Sequence, residues 1–593
     1  MDEAEFMLTH IEDSLEMRAP YAELWKEIEN NRLVRPARRD VPNFLKYGGQ
    51  ATHTYFTNPP NRGYSLLKDP ESHQINESLT TQGLAILLSD GYLTAIPRGY
   101  DDPEKARLIA NMLMAIMDQP GNYGSLWRLF GDTFGYGISY MQVGWEERSR
   151  MQMTEIQPGV WGPGEVLYRQ QPRLDVIDHY DVYPDRNGTR IHVDMERIAK
   201  RFRISPSQAL AMAEAGIYDM EATRRALAKH ADGRPGTAAP HGDERFAAYA
   251  EMVPRNKGMI YGFEMYGQVP LKYPDKATNR FITMLNGEIV RSHINPFRDG
   301  EIPIVDFVVN PITGRHYGMS PLEAVRFLQD STDMMLMSLT DSSNYMVRPN
   351  LLVGSFGGDP NQLRRREEND LIFCRDVKQV APVPTDFSAL SWAMQELTRR
   401  KMSMREAAGA PNPMQNIPSD RATATEISEL TRLASQRIDV MTRLLERDPM
   451  PILGRLIHSR LRQFIPPDSD MVAVLNGEPV SVPFEAIDID ADIRFGGSTM
   501  FMSKFQKGAQ MREFLNILGQ FPELLITAPE LIVQYGRDIL GVVDAEPIVA
   551  KMAARQVMML QQQQMAAGPN TGAQEEPFGT QAGETQREGQ MIA

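Results

Sequence analysis

Asp488, Asp490 and Asp492 stand on alternate positions, the spacing with which a calcium loop begins. Ile493 occupies the place of the obligatory glycine and Thr499 that of the bidentate glutamate, so the loop is not a calcium site. Ile487, Ile489 and Ile493 alternate with the acids, and this pattern predicts a strand with one acidic face. Gly131, Gly135 and Gly137 cluster in GDTFGYG, but that segment does not open a helix after a strand, so it predicts a turn or close helix packing and not a nucleotide loop. No G-x-x-x-x-G-K-[ST] phosphate loop and no G-x-S-x-G nucleophile elbow occur. The 10 histidines form no H-x-x-x-H pair, and the lone Cys374 reads as a small core residue. One cysteine excludes a disulfide framework and a multi-thiolate zinc centre within one chain. The chemistry-bearing residues thus point away from catalysis, and no cofactor or metal is expected.

Composition bounds the rest. The chain has 593 residues, 42% hydrophobic and 24% charged, with a formal net charge of −14. That is globular material for about four domain-sized units. An acidic balance argues against tight nonspecific wrapping of nucleic acid, which needs a basic footprint, but suits a surface that DNA slides past. No apolar run of eighteen residues occurs, and the start MDEAEFMLTHIEDSLEM lacks the basic and apolar stretches of a secretory signal. The expectation is a soluble protein of a reducing compartment.

The elements that must position any function are mostly helical, with strands between, an α+β pattern. Apolar spacing predicts helix over 2–32, broken by Pro20 into two, then a Pro-, Asn-, Arg- and Gly-rich arm over 33–74. Helices are expected at 75–92, 103–119, 122–137 and 205–230. Strands are expected from 138, at 165–171 and 173–178, and as a meander at 258–267, 280–285 and 288–293, with Asn286-Gly287 as a hairpin turn. VDFVVNP adds one more. Ser320-Pro321 is a cap followed by proline at the first helical position, opening a helix over 320–346, about 40 Å long. Another helix runs over 389–408, and the proline-rich 409–422 interrupts it. Thr423 and Glu426 form a capping box for 424–447, followed by a helix at 450–464, strands at 471–475 and 487–495, and helices at 501–519, 528–540 and 545–565. The tail 566–593 has a disordered composition.

The two helices 320–346 and 389–408 can pack antiparallel as a stalk with 347–388 at its tip. Met334, Met335, Leu336, Met337 and Leu339 spread around more than one helical face. Such a surface requires neighbours, either other domains of the chain or copies of the same helix in a ring.

The sequence resembles bacteriophage portal proteins, the head-to-tail connectors, and is closest to those of short-tailed phages. HYGMSPLEAVRFLQD (316–330) is similar to the element that opens their long stem helix, and DRATATEISELT (420–431) to the segment after their tunnel-facing loop. MRAPYAELWKEI (17–28), LWRLFGDTFGYGISYMQVGWE (126–146) and DVIDHYDVYPD (175–185) resemble the N-terminal helix and wing elements, in the same order.

The resemblance implies a ring, typically of about twelve subunits, at one capsid vertex of the virion, assembled in the bacterial host cytoplasm. Double-stranded DNA would be packaged and ejected through it without sequence-specific binding. A separate terminase, a tail adaptor and the capsid protein would be its partners, with no membrane. It implies an arm and wing over 1–318, stem helices at 319–346 and 389–408, a small α/β clip at 347–388 and a tunnel loop at 409–422. The wing resumes over 423–500, a helical crown follows over 501–565, and 566–593 is a disordered tail. Glu323, Asp330, Asp333 and Asp341 are candidate channel acids, or else inter-subunit ion pairs or a solvated face. Arg364, Arg365 and Arg366 are candidate clip contacts, or a solvated run balanced by Glu367 and Glu368. Met414, Gln415 and Asn416 would stand nearest the DNA, unless the loop is an ordered connection only. The rival readings are another self-assembling virion protein, such as an adaptor or internal core protein, and a DNA-processing enzyme. The order of the motifs speaks against the first; the acidic balance and missing motifs speak against the second.

Overall fold

The computed structural model describes residues 2–32, 67–89, 91–98, 103–157, 160–231, 259–270, 276–347, 351–353, 380–382, 387–410, 437–467, 471–475, 478–497 and 551. By internal contacts the chain divides into Met1–Met500 and Phe501–Ala593. The expected crown apart from Lys551, the tail, the tunnel loop apart from Gly409 and Ala410, and most of the clip lie outside the described residues.

Helix α1 (Glu3–Arg32) is followed by α2 (Glu71–Leu87), strand β1 (Leu93–Pro97), α3 (Pro103–Met117) and α4 (Pro120–Tyr136). Two long strands, β2 (Ile138–Gln157) and β3 (Val160–Ile177), form a hairpin ribbon. Then come β4 (Val182–Pro184), β5 (Arg197–Ile204), α5 (Pro206–Glu214), α6 (Met220–Ala231), β6 (Ile260–Pro270), β7 (Ala277–Leu285), β8 (Glu288–Ile294) and β9 (Ile304–Val308). Helix α7 (Pro321–Val347) leads to β10 (Leu351–Val353); β11 (Val380–Pro382) leads into α8 (Phe387–Ala408). Residues 437–447 are helical. The unit closes with α9 (Pro449–Phe464), β12 (Met471–Leu475), β13 (Glu478–Val482), the short α10 (Phe484–Ile487) and β14 (Ala491–Phe495).

Strand alternation explains the layering. In the five-stranded antiparallel sheet β4-β5-β6-β7-β8, Ala199, Met265 and Ile282 point to one face and pack with Met7 and Ile11 of α1. Ile198, Tyr266 and Phe281 point to the other face and join the main core. The C-terminal half of α1 reaches that same core through Trp25 and Ile28. A second sheet, β3-β2-β9, and the pairing of β1 with β14 complete the wall, the latter tying residue 93 to residue 495. Asn286 (φ 46°) and Gly287 (φ 81°) make the tight β7–β8 turn, as their types dictate.

Three expectations are corrected. Pro20 lies inside a single continuous α1, held along its length by Arg18, which donates to the Tyr180 carbonyl (2.7 Å), and by Trp25 in the core. The expected strands 165–171 and 173–178 are one strand, because Pro172 between them faces away from the ladder to β2. The expected helix 205–230 is two, separated at Gly216 (φ 73°), whose left-handed backbone ends the first.

Gly137 (φ 83°) ends α4, and a Cβ there would sit 2.4 Å from the Gly318 carbonyl oxygen. Gly137→Ala is therefore expected to lower stability by about 3 kcal/mol or more, through backbone overlap in addition to left-handed strain. Thermal melting of the purified variant checks it; an unchanged midpoint would contradict this close approach.

Candidate channel-forming stem and its footing

The YGMSPLE segment roots α7 in the body. Tyr317 is buried, and the Ser320 hydroxyl lies 2.8 and 2.7 Å from the Phe134 and Gly135 carbonyls at the end of α4. The same oxygen accepts from the Leu322 amide (3.0 Å), satisfying one of the free donors at the helix start. Leu322 and Val325 then enter the core.

One turn further, a buried polar network fixes α7 and α8 to the segment that opens α2. Lys68 and Asp333 pair at 3.1 Å with side chains only 4% and 7% exposed. Asp333 also accepts from the Asp69 amide (2.9 Å) and from Gln329 (2.7 Å). Gln329 accepts from Ser72 (2.7 Å) and donates to the Asp69 carbonyl (2.9 Å). From the opposite helix Lys401 reaches Asp69 (2.6 Å), and Arg405 pairs with buried Glu71 and donates to Gln74. Burial raises the Asp333 pKa, and the Asp69 amide, Lys68 and Gln329 oppose that rise, so pairing and hydrogen bonds offset the cost of desolvating these charges without removing it. Thr332 meets Met404, Arg400 donates to the Ser331 carbonyl (3.0 Å), and β10 pairs antiparallel with β11 at the far end. The two helices therefore form an antiparallel hairpin.

Beyond this footing the hairpin has almost no interior of its own. Among the described side chains, none of α7 from Met334 onward and none of α8 from Leu390 to Ser403 is buried. Phe327 is 70% exposed, Trp392 63%, Met334 58% and Met394 56%. On α7 the exposed stripe Ala324, Phe327, Met334, Ser338 carries no charge. An uncharged stripe with Phe327 and Met334 this exposed suits a contact surface.

The four candidate acids do not act alike. Asp333 is buried in the network just described, so within the subunit its carboxylate does not reach solvent. Asp330 is half-buried at the α1 joint, where burial first and then the Glu27 carboxylate push its pKa up to about 6. Glu323 is half-buried and raised by burial, with Arg326 opposing. Arg326 itself pairs with Glu27 (3.7 Å). Asp341 lies on α7, its side chain outside the described residues. Arg364, Arg365, Arg366, Met414, Gln415 and Asn416 lie outside the described residues.

Asp330 sets a pH dependence. Its folded pKa lies above the ordinary aspartate value, so the folded state binds more protons between about pH 4 and 6. Stability from this group is accordingly lost as pH rises through that window. Asp330→Asn is expected to flatten the loss and to gain about 1 kcal/mol at pH 8, discounted for partial exposure. Urea unfolding at pH 4.5 and pH 8 checks the sign.

The expected strand 487–495 with one acidic face starts only at Ala491: Ile487 ends α10, Asp488 and Asp490 stand in the short link that follows, and of the three acids only Asp492 lies on β14. Arg462 bridges Asp488 and Asp490 (both 2.8 Å), and Arg98 binds Asp492 (2.7 Å). Among the described residues no group of His, Cys, Asp and Glu is placed to hold a metal, and no helix is long and apolar enough to cross a membrane. Sequence reading missed Lys68, Asp69 and Gln329, because the contacts that join 68–72 to Gln329 and Asp333 span more than 250 positions.

A family model described as phage SU10 portal protein matches residues 164–575, from the ribbon strand β3 past the stem and into the second unit. The chain belongs to the phage SU10 portal protein family. It is a phage portal chain. No curated protein matches it. The matched range includes both helices of the α7–α8 hairpin of this portal chain, the footing residues Gln329, Asp333, Lys401 and Arg405, and the exposed Phe327, Met334, Trp392 and Met394.

Proposed function

We propose that this portal chain is the repeating subunit of a ring of about twelve copies at one capsid vertex, through which double-stranded DNA is packaged and ejected. The observation that carries this reading is the α7–α8 hairpin: rooted firmly at its base, with Phe327, Met334, Trp392 and Met394 exposed, and without a buried side chain among the described ones of its outer half. Copies of the same hairpin would cover it, with the α8 face of one copy against the charge-free α7 stripe of the next. In this arrangement 319–346 and 389–408 are the stem, 347–388 the clip that meets terminase and the tail adaptor, and 409–422 the tunnel loop. Residues 1–318 and 423–500 are the wing, and 501–565 the crown.

The charge reading is refined by the geometry. At −14 per chain, twelve copies carry about −170, so a ring would repel DNA as a whole and let it slide without adhesion. Asp333 belongs to the footing of the stem. Glu323, Asp330 and Asp341 stay as channel candidates, and Arg364, Arg365 and Arg366 as contacts for terminase, adaptor or entering phosphates. Met414, Gln415 and Asn416 stay as the residues nearest the duplex.

Capsids assembled with the wild-type chain are expected to retain nuclease-resistant DNA of genome length. Capsids assembled with a stem-disrupted chain are expected to hold none. Full packaging without an assembled ring would refute the function.

A further inference from the structure

The β2–β3 ribbon runs well past the sheet that supports it. β9 covers β2 only from Ile138 to Gln142, yet β2 pairs with β3 as far as Gln157. A two-stranded ribbon is at best marginally stable alone. Its two free edges are treated differently, and the hydrogen-bond phase reveals how. The Val143 amide donates to the Pro303 carbonyl (2.8 Å) on the β9 side. Odd-numbered β2 residues therefore direct their amides away from β3. Trp145 pairs with Pro172 and Met153 with Pro163, so both prolines of β3 stand where the backbone nitrogen faces outward. The ladder loses nothing, and the outer edge of β3 loses two donors, a known way to guard an edge. The bulge near Arg148 leaves its extra residue on β3, so the phase of β2 continues through it. The outer edge of β2 keeps every donor at Glu147, Ser149, Met151 and Met153, and no described strand pairs there.

We infer that the outer edge of β2 from Glu147 to Met153 is a strand-addition site for an extended segment of a second copy of this chain. The inference rests on the ring reading. In the proposed ring every copy carries one such edge in the same setting, a neighbouring copy offers one cover per edge, and the exposed Phe327, Met334 and Trp392 already call for that neighbour. The prolines of β3 prevent ribbon-to-ribbon stacking, in which the β3 edge of one copy would pair with the β2 edge of the next and template open-ended growth.

Hydrogen exchange read by fragmentation mass spectrometry tests this on the assembled full-length protein and on a Trp392→Glu subunit that does not assemble. The amides of Ser149, Met151 and Met153 are expected to exchange at least tenfold more slowly in the assembly than in the subunit. Rapid exchange in both would overturn the inference. So would protection already present in the lone subunit, which would mean cover from the same chain, or protection gained only when capsid or adaptor protein is added. Native mass, measured on the same samples, separates these outcomes from failure of the ring itself. Ser149→Pro, which removes one outward donor and leaves the ladder to β3 intact, is expected to lower the assembled fraction severalfold; Ser149→Ala is expected to leave it unchanged.

Discussion

Trp392→Glu combined with Met334→Glu is expected to yield a folded monomer that forms no rings. Both side chains are more than half exposed in the subunit, so the change leaves the fold intact; surface substitutions of this kind fall within about 0.5 kcal/mol. In the ring each copy would bury both positions against a neighbour. A carboxylate buried there without a partner costs about 3 kcal/mol or more, above a hundredfold in each contact. Because a closed ring repeats the contact at every junction, even one such loss per junction suffices to prevent closure. Circular dichroism should match wild type while native mass falls to one subunit. Rings of normal yield would show that these faces look into solvent and that assembly uses other surfaces.

The second large effect lies at the base of the stem. Asp333→Ala removes the partner of a Lys68 side chain that is 4% exposed and strips acceptors from the Asp69 amide and Gln329. Breaking a buried pair from one side costs about 3–5 kcal/mol. Urea unfolding should shift by that amount, and the Asp69 amide should exchange about a hundredfold faster. Replacing both partners, Lys68→Met with Asp333→Leu, is expected to recover only the part of the loss due to the unpaired lysine, because the Asp69 amide and Gln329 still lack their acceptor. Unchanged stability with altered DNA passage would instead return Asp333 to the channel.

How far these residues can be read from sequence depends on whether their partners are local. Ser320-Pro321 states the start of α7 because a cap and a first-turn proline are local chemistry, and the same holds for Asn286-Gly287. The antiparallel stem follows from helix period and the short intervening segment. The β2 arm of the ribbon is legible only in its first eight residues, ISYMQVGW, where alternation is clean, and the β3 arm only as the two pieces 165–171 and 173–178. Past Trp145 polar residues predominate and Pro172 reads as a break, although the outward phase of β3 accommodates it. Pro20 misleads in the same way: tertiary packing of Trp25 and Arg18 outweighs a local helix breaker. Four acids on one helix look equivalent as letters. Only the fold assigns Asp333 to Lys68 and Asp330 to the neighbourhood of Glu27, across separations that no periodicity encodes.

In the proposed ring, copies of one hairpin stand around a hole wide enough for duplex DNA. Native mass spectrometry of the purified wild-type chain, with negative-stain images of the same sample, tests it most directly. A particle of about twelve times 67.0 kDa, seen end-on as a ring with an open centre, is the expected result. A compact monomer that persists at every concentration, its Trp392 and Phe327 faces still open to water, would contradict it.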